Sequence, residues 1–419
     1  MNIRVMRFAD RRLGVPLCRL LAWILRMWRP APQRVDPGRI LIMRGFGVGN
    51  LVLMLPTLQT LRQRYPAARL DAITVESNRG FLERTGYFSR ISYLDDRSVT
   101  RFCGSLAAAF VPLLATRYDV FVDFEQFART SAIIALLLLI PRRIGFGTPG
   151  TGRDSAFTDA VPYRQDLHMM DGFYTLLEPL GVTPVADLAP VSVPTSVEEE
   201  SAVDRLLAEA GIRPGERIAI VHPGTSGNVI LRRWPEERFA GVADYLAQQG
   251  FKVMLTGIRA EADIVKLVEQ SMTQSAYNAV GRLSLGELLA LLRRASLVLS
   301  NDTGPIHLAA AQGAPVIGLY GPNTPAIYGP RGEHSLAFYL GLPCSPCMTN
   351  ANEKDSSDCR NNICMTLMSV EQVIASLSLI FEGVAHMPAT HGRVRAIPGA
   401  PRVHPLLLRR PAVEHQPVS

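Results

Sequence analysis

The sequence predicts an α/β protein with two doubly wound parallel sheets. Short apolar runs bounded by turn residues alternate with longer segments of helical periodicity in both halves of the chain. The 419 residues and the 47% hydrophobic content are sufficient for two cores of ordinary domain size. Prolines at positions 184, 190 and 194 stiffen the chain between the halves, so we place a boundary near 191–196.

Each predicted element rests on its own pattern. The strands are runs of four to six mostly apolar residues, and they are expected at 40–43, 70–75, 91–94, 120–123, 218–222, 252–256, 297–300 and 316–320. Apolar residues spaced three or four apart predict helices at 51–64, 105–116, 130–139, 239–249, 262–269 and 285–294. Ser196 and Glu199 have the spacing of a capping box, which predicts a helix start at the opening of the second half.

The segment after the strand at 297–300 has the features of an anion-binding turn. Asp302, Thr303 and Gly304 form the turn, and Pro305 is expected at the first helical position, where its missing N–H does no harm. A helix that begins at a strand end offers free amides and the positive end of its dipole to a phosphate. His307 follows one turn into the helix and can bind a hydroxyl or a phosphate oxygen.

Two more predicted strand ends carry similar turns. His222 opens a Pro-Gly turn that continues with Thr225 and Ser226, and Arg232 follows shortly before a Trp-Pro pair. Glu261 comes after a glycine turn at the next strand end. Ligands collect at the carboxyl edge of a parallel sheet. We therefore expect Thr225, Ser226 and Arg232 to hold a diphosphate and Glu261 to bind a ribose or a base edge.

Taken in order, these segments resemble the lipopolysaccharide heptosyltransferases, the ninth glycosyltransferase family. That family's C-terminal signature is a His-Pro-Gly turn, a basic residue before Trp-Pro, a glycine-plus-acid turn and Asp-Thr-Gly-Pro-x-His, and all four are present. The glycine loop from Gly45 to Asn50 and the strand ending at Asp123 match the N-terminal half. The resemblance spans roughly residues 38–380 and implies the GT-B architecture, with two Rossmann-like domains facing across a cleft.

The resemblance also implies a division of labour. Residues 38–194 would form the acceptor-side domain, and residues 195–382 would form the nucleotide-sugar-binding domain with the cysteine cluster described below. The implied activity is inverting transfer of a sugar, with heptose from ADP-heptose favoured, to a lipopolysaccharide-type or other cell-surface glycan. No cofactor is required for catalysis in this interpretation, because arginines and amides take the diphosphate. A nucleotide-sugar 2-epimerase and a non-catalytic nucleotide-sugar-binding protein remain alternatives.

The general base is where the chain departs from the family. Heptosyltransferases carry an aspartate directly after the glycine loop, thought to be the base, whereas this chain has Asn50, whose carboxamide does not accept a proton at neutral pH. We favour Glu125 as the base, with Asn50 orienting the acceptor. His168, Asp171 or the substrate itself are alternatives, and binding without turnover is another. Asp123 is interpreted as a structural acid at a strand end.

The net charge of +7 comes from the two ends of the chain. Residues 1–35 hold eight arginines and one acid, and residues 387–419 hold five arginines and one acid, so the body between them is mildly acidic. This distribution argues against a nucleic-acid partner. The proline-rich tail, residues 383–419, is expected to be disordered.

The N-terminal segment, residues 1–37, predicts a basic amphipathic helix. Arg12, Arg19 and Arg26 recur every seven residues in an otherwise apolar stretch, and Trp23 and Trp28 lie in the same stretch. This pattern suits a helix in a bilayer interface, and packing on the N-terminal domain is the alternative. With the basic tail, it predicts a cytoplasmic enzyme held peripherally at the inner face of the plasma membrane, near a lipid-linked acceptor.

Four cysteines near the end of the second half form two closely spaced pairs. Cys344 and Cys347 are separated by two residues, and Cys359 and Cys364 by four. The spacing fits a small structural zinc site, and disulfides receive equal weight, with free thiols as a third alternative. In each case we expect a structural role.

Overall fold

Two parallel six-stranded sheets form the centre of the molecule. The computed structural model describes residues 10, 14–24, 36–45, 47–183, 188–225, 227–348 and 359–381. The first sheet contains β1 (Arg39–Met43), β2 (Arg69–Val75), β3 (Arg90–Leu94), β4 (Val120–Asp123), β5 (Arg142–Gly147) and β6 (Asp159–Pro162). The second contains β7 (Ile218–His222), β8 (Lys252–Leu255), β9 (Tyr277–Asn278), β10 (Leu297–Asn301), β11 (Val316–Tyr320) and β12 (Ser335–Tyr339).

Both sheets have the same doubly wound topology. The strand orders are β3-β2-β1-β4-β5-β6 and β12-β11-β10-β7-β8-β9, and all neighbouring strands are parallel. The order reverses between β1 and β4 in the first sheet and between β7 and β10 in the second. Ligands bind beyond the carboxyl ends of the strands at such switch points. The predicted α/β class and the eight predicted strands are confirmed, and β5, β6, β9 and β12 are additional.

Helices cover both faces of the sheets. Those of the first half are α1 (Gly14–Ile24), α2 (Val48–Arg64), α3 (Arg79–Leu82), α4 (Val99–Thr116), α5 (Arg129–Leu137) and α6 (Met169–Tyr174). Those of the second half are α7 (Val197–Glu209), α8 (Glu236–Gln248), α9 (Ala262–Ser271), α10 (Leu285–Arg294), α11 (Gly304–Ala311), α12 (Pro325–Tyr328), α13 (Ile363–Thr366) and α14 (Val370–Phe381). The predicted capping box of Ser196 and Glu199 is present at the start of α7.

The alternation of side chains along β1 separates the two faces of the first sheet. Ile40 and Ile42 belong to the core cluster that contains α2 and α6, whereas Leu41 and Met43 pack with α4 and α5. Successive side chains of a strand point to opposite faces, and a parallel sheet is buried on both. The α2 side faces the second half of the chain, because α2 packs against α11. The α4 side faces away from it.

Polar contacts join the two halves near the start of α7. Arg84 donates a hydrogen bond from Nη1 to Glu199 Oε2 at 2.7 Å, and the pair is largely shielded from solvent. Gln312 Nε2 donates to the carbonyl oxygen of Val193 at 2.8 Å. With the shared core between α2 and α11, these contacts hold the carboxyl edges of the two sheets close together.

Candidate active site

Asn301, the last residue of β10, holds two loops of the second sheet in place. Its Nδ2 donates to the carbonyl oxygen of Pro223 at 2.8 Å, and its Oδ1 accepts from the amide of Trp234 at 3.0 Å. Trp234 is fully buried and anchors its own loop in the core. One side-chain amide therefore fixes the turn after β7 relative to the basic loop before α8. The sequence analysis did not single out Asn301, although its place at a strand end was a usable signal.

Arg232 lies against Asp302 at the same edge. Its Nη1 is 3.2 Å from Asp302 Oδ2 and donates to the Asp302 carbonyl oxygen at 3.3 Å. Asn323 Nδ2 donates to the same carboxylate oxygen at 2.8 Å, and the Asp302 side chain is buried. Asp302 Oδ2 is thus engaged by two protein donors. Its role in this arrangement is to orient the Arg232 guanidinium.

Thr225 brings a second guanidinium to the turn after β7. Its buried hydroxyl oxygen accepts from Arg233 Nε at 3.4 Å and from Arg233 Nη2 at 3.3 Å. Ser226 lies outside the described residues. The structure therefore places Thr225, Arg232, Arg233 and Asp302 at one sheet edge.

The N-terminus of α11 lies at this edge. The helix begins at Gly304, so Pro305 occupies its second position and not the first. The Thr303 carbonyl oxygen accepts from the Ile306 amide at 3.3 Å, whereas the Thr303 hydroxyl does not cap the helix and donates to the carbonyl oxygen of Asn301 at 3.3 Å. Pro305 has no N–H and the Ile306 amide is occupied, so the Gly304 amide is the first-turn donor left for an anion, which the helix dipole also favours.

Two glycines let the halves approach each other at this helix. A β-carbon placed on Gly49, in the first turn of α2, would lie 2.9 Å from Cδ2 of His307 and 3.4 Å from Cα of Gly304. Only a glycine fits such a contact without a shift of its neighbours. His307 is buried and therefore lies at the junction between α2 and α11.

Glu261 is enclosed by the glycine turns of the second sheet. Its Oε2 accepts from the amide of Ile258 at 2.9 Å and lies 3.7 Å from His222 Nε2. A β-carbon on Gly224 would lie only 2.2 Å from the Glu261 carboxyl carbon, so the glycine makes room for this carboxylate. Burial lowers the pKa of His222, and the Glu261 charge opposes that effect. Oε1 accepts no hydrogen bond from any residue that the structure describes.

Glu125 lies at the carboxyl edge of the first sheet, against the glycine loop. Its Oε1 accepts from the amide of Gly45 at 2.7 Å and lies 3.7 Å from Arg44 Nε, and the side chain is 16% exposed. Asn50 is partly buried in the first turn of α2, and its backbone N–H donates a hydrogen bond to the carbonyl oxygen of Gly47. Both candidate residues therefore flank the same loop.

A buried network supports the backbone of Glu125. Asp123 Oδ1 accepts from the Glu125 amide at 2.9 Å, and Asp123 Oδ2 is 2.6 Å from Arg153 Nη2. Arg153 also donates to the Glu125 carbonyl oxygen. Burial raises the pKa of Asp123 to about 6. Asp123 is thus a structural acid. Its partner Arg153 is separated from it by 30 residues and could not be found from local patterns.

His168 and Asp171 are occupied by contacts with the second half. His168 Nε2 is 2.9 Å from the Gly329 carbonyl oxygen, and its Nδ1 accepts from the Met170 amide at 3.2 Å. Burial and the Arg331 charge lower the pKa of His168 to about 3. Asp171 forms a bidentate pair with Arg331. Neither residue is placed to take a proton from an acceptor.

The family model of glycosyltransferase family 9 (heptosyltransferase) matches residues 108–357, more than half of the chain. The chain belongs to glycosyltransferase family 9. This protein is therefore a glycosyltransferase, and the family match does not favour the epimerase alternative. Its two sheets, with open carboxyl edges facing one another, form the GT-B architecture that the resemblance implied.

Individual relatives of this family 9 glycosyltransferase agree with that assignment. It is 24% identical over 336 residues to lipopolysaccharide heptosyltransferase 3 of Escherichia coli K12, which covers 78% of this chain and 94% of the relative. A family 9 glycosyltransferase from Veillonella parvula DSM 2008 has a TM-score of 0.69 at 24% identity, over 84% of this chain and 99% of that one. The E. coli heptosyltransferase WaaC with ADP has a TM-score of 0.60 at 20% identity, over 82% and 99%.

The four cysteines of the glycosyltransferase lie beyond β12. Within the described residues, no disulfide bond joins Cys344, Cys347, Cys359 or Cys364, so the disulfide alternative is not seen. The Cys347 amide donates a hydrogen bond to the carbonyl oxygen of Pro322. A β-carbon on Gly321 would lie 2.9 Å from Cys364 Sγ. Cys347 and Cys364 therefore both border the turn after β11. Burial raises the pKa of Cys364 to about 12. Among the described residues, no three His, Cys, Asp or Glu side chains are grouped to hold a metal ion.

Proposed function

We propose that this glycosyltransferase transfers heptose from ADP-heptose to a lipopolysaccharide-type or other cell-surface glycan, with inversion at the anomeric carbon. The donor assignment is supported by a relative named as a lipopolysaccharide heptosyltransferase and by a solved neighbour that holds ADP. In this proposal the domain of residues 38–194 receives the acceptor, and the domain of residues 195–382 binds the donor.

The observation that carries the proposal is the N-terminus of α11 beside the Arg232–Asp302 pair. The Gly304 amide, the positive end of the α11 dipole and the Arg232 guanidinium suit the two phosphates of a nucleoside diphosphate, and the hydroxyls of Thr225, Ser226 and Thr303 supplement them. A preorganised donor set of this kind stabilises the charge that develops on the leaving diphosphate.

Two buried side chains are assigned to the sugar and nucleoside parts of the donor. His307 lies where α11 meets the glycine loop, which places it on the side of the acceptor domain. Glu261 retains one carboxylate oxygen for a ribose hydroxyl. We assign His307 to the transferred sugar and Glu261 to the ribose.

Glu125 is proposed as the general base. Its carboxylate takes the proton of the acceptor hydroxyl while that oxygen bonds to the anomeric carbon and the carbon–oxygen bond to the diphosphate breaks. Asn50 orients the acceptor hydroxyl through its carboxamide. The burial of the network beneath Glu125 supports this assignment, because Asp123 and Arg153 fix its backbone on both sides.

The decisive experiment compares transfer and donor hydrolysis with ADP-, GDP- and UDP-sugars, with and without a lipid-linked acceptor. We expect acceptor-dependent turnover of ADP-heptose. Glu125→Gln should lower kcat at least about hundredfold with an unchanged ADP affinity, because only the proton transfer is lost. Asn50→Ala should retain measurable transfer. Full activity in Glu125→Gln would refute the base assignment, and ADP binding without turnover in the wild type would favour a binding protein.

We further propose that the acceptor is lipid-linked and that the enzyme works peripherally at the inner face of the plasma membrane. The proposal is supported by the arginine-rich ends of the chain, which suit anionic lipid. Most of residues 1–37 and all of residues 383–419 lie outside the described residues. The mildly acidic body gives no support to a nucleic-acid partner.

A structural zinc ion in the cysteine cluster remains a proposal. Four thiolates are a donor set that zinc prefers, and the spacing of the two pairs is compatible with one site. Such an ion would tie the segment before α14 to the turn after β11, and it would take no part in transfer.

A further inference from the structure

Three helices on one side of the first sheet each expose apolar side chains, and we call this set of side chains the outer apolar face. α4 and α5 pack on this side of the sheet through one core cluster, and α1 packs against α5 through Cys18 and Ala22. The face consists of the exposed residues Leu17, Leu20, Trp23 and Ile24 of α1, Val99, Val111 and Leu114 of α4, and Leu137 and Leu139 at the end of α5.

The exposure is large for such residues. Val111 is 70% exposed, Trp23 is 59% exposed and Leu20 is 53% exposed. Single exposed apolar residues are ordinary, but a group on three adjacent helices marks an interaction surface. The second half of the chain does not cover it, because α2 and α6 occupy the side of the sheet that faces α11.

The charged side chains of these three helices are all basic. None of the three helices contains Asp or Glu, whereas Arg19 and Arg101 are exposed on them and Arg117 is exposed directly after α4. Arg101 has one distant partner, Asp95, at 3.5 Å. The three helices themselves therefore present apolar and basic side chains, and the acids nearest to α4 in the chain, Asp95, Asp96 and Asp119, lie beyond its ends. Such helices complement the surface of an anionic bilayer.

α4 has the character of a membrane helix but lies along the protein. Its 18 residues have a mean hydropathy of 1.5, and it is the one helix in the described part of the chain that is long and apolar enough to cross a membrane. Phe102 and Leu113 nevertheless pack its length onto the sheet. A helix held in this way meets a bilayer side-on, with Val111 and Leu114 directed outward.

We propose that the outer apolar face docks the enzyme on an anionic bilayer, with α1, α4 and the end of α5 entering the interface together. This inference rests on the proposed lipid-linked acceptor. It assigns membrane attachment to a part of the folded body, whereas the sequence analysis assigned it to the two ends of the chain. α5 begins at Arg129, directly after the loop of Glu125. The exposed Leu137 and Leu139 lie at the opposite end of α5 from that loop.

The test is vesicle flotation of the full chain with phosphatidylglycerol-containing or pure phosphatidylcholine vesicles. We expect preference for the anionic vesicles and a loss of binding of about tenfold or more in Val111→Glu/Leu114→Glu and in Leu20→Glu/Trp23→Glu. Leu267→Glu, at a 51% exposed leucine on α9, is the matched control and should bind as the wild type does. Equal binding by all variants, or an equal loss in the control, would overturn the proposal.

A second measurement separates docking from catalysis. Transfer to a water-soluble acceptor fragment without vesicles should be the same in Val111→Glu/Leu114→Glu and the wild type, because the face is outside the site. Weakened vesicle binding with no transfer by any protein would leave docking intact and refute the proposed function. Sedimentation of the same variants tests the other occupant: a wild-type dimer that these variants dissociate, without a change in vesicle binding, would assign the face to a second copy.

Discussion

Arg232 lies within hydrogen-bonding distance of both the carboxylate and the carbonyl oxygen of Asp302, at 3.2 and 3.3 Å. The two contacts hold one guanidinium nitrogen in place beside the N-terminus of α11. The carboxylate is itself fixed by Asn323. Arg232 and Asp302 therefore act as a unit, in which the Asp302 carboxylate orients the Arg232 guanidinium.

This unit leads to a prediction for nucleotide binding. Arg232→Ala should weaken ADP affinity about tenfold to hundredfold, because it removes a charge-assisted contact with the diphosphate. Asp302→Ala should weaken affinity by a smaller factor, because it only releases the guanidinium. Titration calorimetry of the single and double variants should give non-additive effects. Unaltered affinity in both single variants would refute the placement of the diphosphate.

Asp10 supplies a second prediction, on stability. Its carboxylate accepts from the amides of Arg129 and Thr130 at 2.9 to 3.1 Å, and it pairs with Arg129 Nη1 at 3.1 Å. It thereby caps α5 from a distant part of the chain. Asp10→Ala should lower the free energy of unfolding by about 1–2 kcal/mol, seen as a lower urea midpoint with the same slope.

Asp10→Asn is the matched control for that measurement. Asparagine keeps an oxygen acceptor for the amides and should retain most of the stability. A urea midpoint for Asp10→Ala equal to that of the wild type would show that this cap contributes nothing.

His168 makes the stability depend on pH. Its pKa falls from about 6.5 in the unfolded chain to about 3 in the fold, so the unfolded state binds the extra proton between these values. Stability from the neutral ring is complete above pH 6.5 and is lost as the pH falls toward 3. Its share of the loss between pH 7 and pH 5 should be about 2 kcal/mol.

The variant His168→Asn isolates the contribution of His168 to the pH dependence of stability. Its side chain can cap α6 as His168 Nδ1 does but does not titrate. Denaturant unfolding of His168→Asn at pH 7 and pH 5 should show a smaller pH dependence than the wild type. Identical pH dependence in the two proteins would contradict the buried neutral histidine.

The proposed zinc ion in the cysteine cluster can be tested directly. Protein purified without chelator should contain about one equivalent of zinc by elemental analysis, and Cys359→Ser/Cys364→Ser should lose it, with a lower unfolding temperature. Cys103→Ser, which alters an exposed thiol on α4, is the control and should retain the metal. An absence of metal from the wild type, with all thiols titratable, would favour the free-thiol alternative.

The sequence was most informative where a residue's role depends on its neighbours along the chain. The strand ending at Asn301, the turn at Asp302 and the α7 capping box were all predictable, because apolar runs, turn residues and caps act locally. β9, with two residues, and the partly exposed β12 carry too weak a pattern. Local patterns also misplaced the start of α11 by one residue.

The support beneath the site was not predictable, because it depends on contacts between distant segments. Arg153 reaches Glu125 and Asp123 only after β4 and β5 have paired, and Asn301 meets Trp234 across 67 residues. The contacts of His168 also required both halves to be in place. From sequence it was one of several titratable side chains. In the fold, both ring nitrogens of His168 form hydrogen bonds with the protein, so neither is available to take a proton from a substrate.

The contact between Gly49 and α11 has a consequence for ligand selection. At this junction a β-carbon on Gly49 would meet the His307 ring at 2.9 Å and the Gly304 backbone at 3.4 Å. In the proposed complex, the room beside the transferred sugar would depend on the His307 ring and on the fixed separation of the two backbones. Gly49→Ala, which adds one methyl group, would displace the ring or widen that separation, and would thereby alter which sugars fit.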